Sequence, residues 1–100
     1  MIQRIVLIKL TEDLANDASR AEIGAETQRQ LSGMPGPRAV VVATPADPKS
    51  AGSWDLAVTL DFDAVEDVPT YLDHPVHRAY VDDYMRGKIE CLKAWNFDRI

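Results

Sequence analysis

The run Trp54-Asp-Leu-Ala-Val-Thr-Leu-Asp-Phe62 alternates in hydrophobicity over its whole length. Read as a strand, it puts Trp54, Leu56, Val58, Leu60 and Phe62 on one face and Asp55, Ala57, Thr59 and Asp61 on the other. A chain built around such a strand contains a sheet with one side that must be covered. Residues 2 to 10, Ile-Gln-Arg-Ile-Val-Leu-Ile-Lys-Leu, residues 39 to 43, Ala-Val-Val-Val-Ala, and residues 89 to 97 also read as strands, because they are rich in apolar and β-branched residues.

Helical spacing fills the gaps between these strands. From 17 to 33, one face carries Leu14, Ala18, Ala21, Ala25, Gln28 and Leu31, with Asn16 or Asp17 able to cap the start and Gly33 able to end it. Alanines on that face would let the helix lie close to the sheet. Residues 64 to 73 predict a second helix with Glu66 and Asp67 at its positive end, and residues 75 to 86 a further helix closed by Gly87. The stretch 44 to 53 holds two prolines and a glycine and reads as a loop.

The order β-α-β-β-α-β makes this an α+β chain with a ferredoxin-like antiparallel sheet and its helices on one face, a single domain over residues 1–100. In the first strand Ile2, Val6, Ile8 and Leu10 share a side with Arg4, while Ile5 and Leu7 take the other. The strand at 39 to 43 is likewise apolar on both faces. The sheet face away from the helices would therefore be apolar, and the expected cover is a second copy, giving a homodimer with its sheets face to face.

Composition excludes several partners. The formal charge is −5 and the lysines and arginines are scattered, so neither nucleic acid nor an anionic membrane is an expected partner. Cys91 is the only cysteine, which rules out an intrachain disulfide and fits a reducing, cytoplasmic setting. The apolar run from Ile5 to Ile8 is too short for a signal-peptide core and is stopped by Lys9. There is no Gly-x-Ser-x-Gly elbow, phosphate-cradling glycine loop or dinucleotide fingerprint.

The chemistry of the chain concentrates in Tyr71-Leu-Asp-His-Pro-Val-His77, which holds both histidines. Proline disfavours helix in the residue before it and suits the first helical position, so His74 marks a break and Pro75 a restart. His77 then lies in the first turn of a helix, where the positive end of the dipole favours a neutral imidazole able to act as a base. His77, Tyr80, Val81 and Tyr84 fall on one face of that helix. Asp73, His74 and His77 are spaced for a local metal site, but the break at Pro75 works against their convergence, and no metal or cofactor is expected. Asp61 and Asp63 read as exposed strand-end charges rather than an acid/base pair.

Taken together, the opening strand, Leu31-Ser-Gly-Met-Pro-Gly36, the strand 54 to 62, Tyr71-x-x-His-Pro-x-His77 and the closing Phe97-Asp98 resemble the stress-responsive A/B barrel (Dabb) family over nearly the whole chain. The resemblance implies a dimeric α/β barrel of eight strands, with a cavity between sheet and helices in each subunit. The family's best understood enzyme, olivetolic acid cyclase, closes a linear polyketide by aldol condensation. There the last histidine of the Tyr-x-x-His-Pro-x-His stretch is the general base and its tyrosine helps hold the substrate, roles that fall on His77 and Tyr71. A second catalytic histidine of that enzyme lies in the first strand, where this chain has Arg4. Arginine stays protonated, so it can hold a carboxylate or enolate oxygen but cannot exchange the proton.

The expected function is therefore a cavity for a small hydrophobic or polyketide-like carbonyl compound, with His77 as base, Tyr71 as hydrogen-bond donor and Arg4 steadying negative charge. Competing readings are a non-catalytic ligand-binding or stress-responsive dimer, and a cofactor-independent oxygenase or decarboxylase. Two structural readings stand beside these. His74 and His77 could cap the break at Pro75, and Arg4 could snorkel to solvent from a strand end.

Overall fold

A computed structural model describes all 100 residues. Strands β1 (Ile2–Leu10), β2 (Ala39–Ala43), β3 (Leu56–Phe62) and β4 (Ile89–Asp98) form one antiparallel sheet in the order β2-β3-β1-β4. Helices α1 (Asp17–Ser32), α2 (Pro48–Ser53), α3 (Asp67–Asp73) and α4 (Pro75–Ala79) complete the chain, with a π-helical turn at Tyr80–Tyr84 after α4. No helix is long and apolar enough to cross a membrane. The order of strands and the main helices agrees with the reading of the sequence.

The alternation in β3 is realised as expected. Leu56, Val58, Leu60 and Phe62 are buried toward the helices, and with Ile2, Ile8 and Leu10 of β1 they form the floor of the core. The roof comes from Ile23 and Leu31 of α1, Met34, Val68 and Tyr71 of the α3 region, Tyr80 and Met85.

Five local readings are corrected. The buried face of α1 is Ile23, Gly24, Thr27 and Leu31, whereas Ala18, Ala21 and Ala25 are exposed. The larger side chains bury more apolar area than an alanine stripe, so they decide which side turns inward. Close packing is instead supplied by Gly24, where an added Cβ would lie 3.3 Å from Leu56. The stretch 44 to 53 is not all loop: Asp47 caps α2 by accepting the Ser50 N–H at 2.7 Å, and Pro48 takes its first position. Helix α3 starts at Asp67, later than the spacing suggested, and β3 starts at Leu56. The continuous helix expected over 75 to 86 changes to π geometry at Tyr80.

Asp55 lies outside β3 and is 1% exposed. One carboxylate oxygen accepts the Leu10 N–H at 2.7 Å, and the other takes the Arg20 guanidinium at 2.9 Å. One side chain thus ties the end of β1, the start of β3 and the first turns of α1. On the edge strand β2, the Gln28 amide donates to the Val40 carbonyl and accepts the Val42 N–H, supplying main-chain partners that β2 lacks on its free side.

Residues paired across strands share a face. The pairs Val41 with Thr59, Thr59 with Ile5, and Ile5 with Trp95 therefore make one row across the outer face of the sheet, with Phe97 beside Gln3 in the next. Helices α1, α3 and α4 lie on the opposite side, and α2 borders this face only beside Leu7 and Ala57. Val41, Trp95 and Phe97 are 56%, 48% and 52% exposed there.

Removing one partner of a buried ion pair strands the other, at a cost of about 3–5 kcal/mol. Asp55→Ala should therefore lower unfolding free energy by about that amount in urea titration, because it also leaves the Leu10 N–H without its acceptor. A loss below about 1 kcal/mol, the worth of a surface pair, would show that Asp55 is not a clamp.

Candidate functional site

The break at Pro75 works as the sequence indicates. His74 has extended backbone, and its Nδ1 accepts the Val76 N–H at 3.1 Å, so this ring caps α4. His74 is thereby turned to a structural task. Asp73, His74 and His77 do not gather into a group that could hold a metal ion.

Three residues farther on, His77 turns inward. Its ring lies 4.7 Å from that of Tyr71 and 6.4 Å from that of Tyr80, within a run of aromatics from Phe62 to Tyr84. Tyr71 is fixed from below by an edge contact with Phe62 at 5.3 Å. Tyr80 is fixed by a 2.7 Å hydrogen bond between its hydroxyl and that of buried Thr27. The Pro35-Gly36 turn packs alongside: Gly36 has φ of +116°, open to glycine but strained for other residues, and faces Tyr71 and Phe62.

Tyr71, His77 and Tyr80 border a cavity of about 220 Å³ between sheet and helices. Arg4, Tyr71 and His77 all line it, together with Val6, Ile8, Leu31, Val58 and Leu60 at the wall, and Val81 and Leu92 where it approaches the surface. Arg4 therefore does not simply snorkel away from the protein. It is half-buried, and its guanidinium donates to Asn96 Oδ1 at 3.0 Å. Asn96 is the residue across from Arg4 in the β1–β4 register, a partner that only the strand pairing identifies.

A larger depression, about 630 Å³, lies against α2 and the outer face. Lys49 is its only charged lining residue, and Leu7 and Ala57 continue it onto the uncovered sheet. The smaller cavity holds the groups with acid/base chemistry.

Burial holds His77 below the ordinary histidine pKa, the Leu72 main chain opposes this, and the charges of Arg4 and Arg78 add to the lowering against the pull of Asp82. The ring is thus neutral near pH 7, as expected, but desolvation is the leading cause rather than the helix end. Its Nδ1 is buried without a hydrogen-bond partner. Burial pushes the Tyr71 phenol well up despite the nearby Arg4 cation, and pushes Tyr80 up to about 12 against the effect of its Thr27 hydrogen bond. Both phenols stay protonated donors. Burial also lowers the Arg4 pKa, but a guanidinium remains charged at neutral pH. The arrangement offers a neutral base, a phenolic donor and a fixed cation around one apolar space.

The model of the stress responsive A/B barrel domain, Dabb, matches residues 2–98, and the chain belongs to that family. A Dabb protein of ferredoxin-like fold from Mesorhizobium loti superposes with a TM-score of 0.80 at 18% identity, over 99% of this chain and 96% of that one. A dimeric ferredoxin-like protein of unknown function from Bacteroides fragilis gives 0.81 at 22%, covering 98% and 95%. A candidate antibiotic biosynthesis monooxygenase from Nitrosomonas europaea gives 0.75 at 14%, covering 100% and 99%. At these identities the likeness is one of fold. No curated protein matches the chain.

The ring of His77 should titrate below pH 6.5 when followed by NMR. As pH falls below that point the unfolded chain takes up the proton first, so the fold loses stability on the acid side. Arg4→Met should move the midpoint upward yet leave it under 6.5, since burial is the larger cause. An unchanged midpoint would place the Arg4 charge outside the surroundings of His77.

Proposed function

We propose that the protein is a homodimer whose helix–sheet cavity binds a small carbonyl compound and removes a proton next to the carbonyl. In this reading His77 is the general base, Tyr71 donates a hydrogen bond to the substrate, and Arg4 stabilises the negative oxygen that develops. The observation that carries it is the convergence of these three residues on one cavity. A neutral imidazole is poised to accept a proton near pH 7, and a cation in a desolvated site lowers the energy of an enolate. The apolar walls suit a hydrophobic or polyketide-like body, and the small volume favours a compact one.

The dimer follows from the uncovered face. Ile5, Leu7, Val41, Trp95 and Phe97 form an apolar surface on a chain of net charge −5, and a second sheet laid over it would also close the depression beside α2. The Bacteroides fragilis protein of the same fold is dimeric. The fold of the Nitrosomonas europaea protein favours a second reading, a cofactor-independent oxygenase in which the same base forms a carbanion that meets oxygen. Oxygen uptake during turnover separates the two.

His77→Ala should abolish turnover of activated ketones while ligand affinity and a dimeric sedimentation coefficient at micromolar concentration are kept. Undiminished turnover in the variant removes His77 from the role of base, and normal binding with no turnover of any activated ketone by the wild type leaves a binding protein. A monomer would contradict the proposed cover for the sheet.

A further inference from the structure

A guanidinium taken out of water calls for an anion. Of the seven arginines, Arg20, Arg29, Arg38, Arg78 and Arg99 are each paired with an aspartate or glutamate, and Arg86 is exposed. Arg4 is the exception. It is half-buried at the cavity and meets only the neutral amide of Asn96. No aspartate or glutamate lines the cavity, and across the strands Arg4 faces Leu60 and Asn96. Asp82, the acid whose field reaches His77, is held at the surface by Arg78 at 3.3 Å. His77 is neutral, so the cavity keeps one positive charge that nothing in the chain balances.

The remaining wall is aliphatic and aromatic, and about 220 Å³ falls below the roughly 300–1,000 Å³ of most small-molecule pockets. The occupant is limited to one ring or a short chain.

We infer that the cavity takes a small monocarboxylate with an apolar body, its carboxylate paired with Arg4 and its body against Val6, Ile8, Leu31, Val58 and Leu60. This rests on the cavity being the ligand site proposed above, and it adds charge to the substrate class. Arg4 offers a planar fork of donors, which suits a carboxylate through two parallel hydrogen bonds. Among such acids, a 3-oxo acid also carries the acidic proton next to a carbonyl that a base at His77 would remove.

The test titrates the wild-type protein with benzoate and hexanoate, and with benzamide and hexanamide as neutral counterparts of the same shape, following the His77 and Tyr71 ring signals by NMR. Each acid should bind at least about tenfold more tightly than its amide, the scale of one charge-assisted pair. Arg4→Met should erase the preference, bringing each acid down to the affinity of its amide. Amides that bind as tightly as the acids, with both rings responding, overturn the carboxylate inference while the cavity remains the ligand site. Ring signals that respond to neither set overturn both. The wild-type ratio decides the matter even if the variant folds poorly.

Discussion

The pleat of β1 is the constraint on which the rest depends. As a central strand it is paired on both sides, with β3 and with β4, so its register is fixed twice over. Because successive side chains alternate, Ile2, Val6, Ile8 and Leu10 can reach the helices only if Arg4 points the same way. The same rule sends Ile5 and Leu7 to the outer face. A slip of one residue would bring Gln3, Ile5 and Leu7 inward and put Arg4 outside. The position of the cation is therefore a by-product of the core's own packing.

Two partly buried arginines show what that cation means. Arg20 reaches a buried carboxylate at 2.9 Å, and the pair closes the corner between α1, β1 and β3. Arg4, on the same layer, is held by a neutral amide and opens onto an apolar space beside a neutral histidine. The first is completed within the chain and serves stability. The second is incomplete within the chain, and an unpaired, half-buried charge at a cavity is the pattern of a site for a ligand of opposite sign.

The strands, the main helices and the break at Pro75 were legible because each leaves a local signal: alternation in β3, capping at Asn16, proline at the start of α4. Tyr71, His77 and Arg4 could be picked out as candidates for one cavity by residue type and by family likeness, but whether Arg4 faces that cavity could not be read from the sequence. What was not legible depends on distant partners. Asp55 looked like an outward strand residue, because its pairing with Arg20 and the Leu10 N–H spans 35 and 45 positions. Asn96 acquires its place only through the β1–β4 register. The inward face of α1 was misread because Ala18, Ala21 and Ala25 and the Ile23-Thr27-Leu31 stripe both have helical spacing, and periodicity alone does not say which is buried. Helix α2 was missed because Asp47-Pro48 is at once a turn signal and a helix start, decided here by the Asp47 cap on Ser50.

That Arg4, Tyr71 and His77 act on one molecule in one cavity is tested most directly by a crystal structure of the protein soaked with an activated 1,3-diketone. Density is expected in the space between β1 and α4, with a ligand oxygen within hydrogen-bond reach of the Arg4 guanidinium or the Tyr71 hydroxyl and the acidic carbon facing the His77 ring. A ligand seated instead in the depression beside α2 and Trp54, with the inner cavity unchanged, would contradict it.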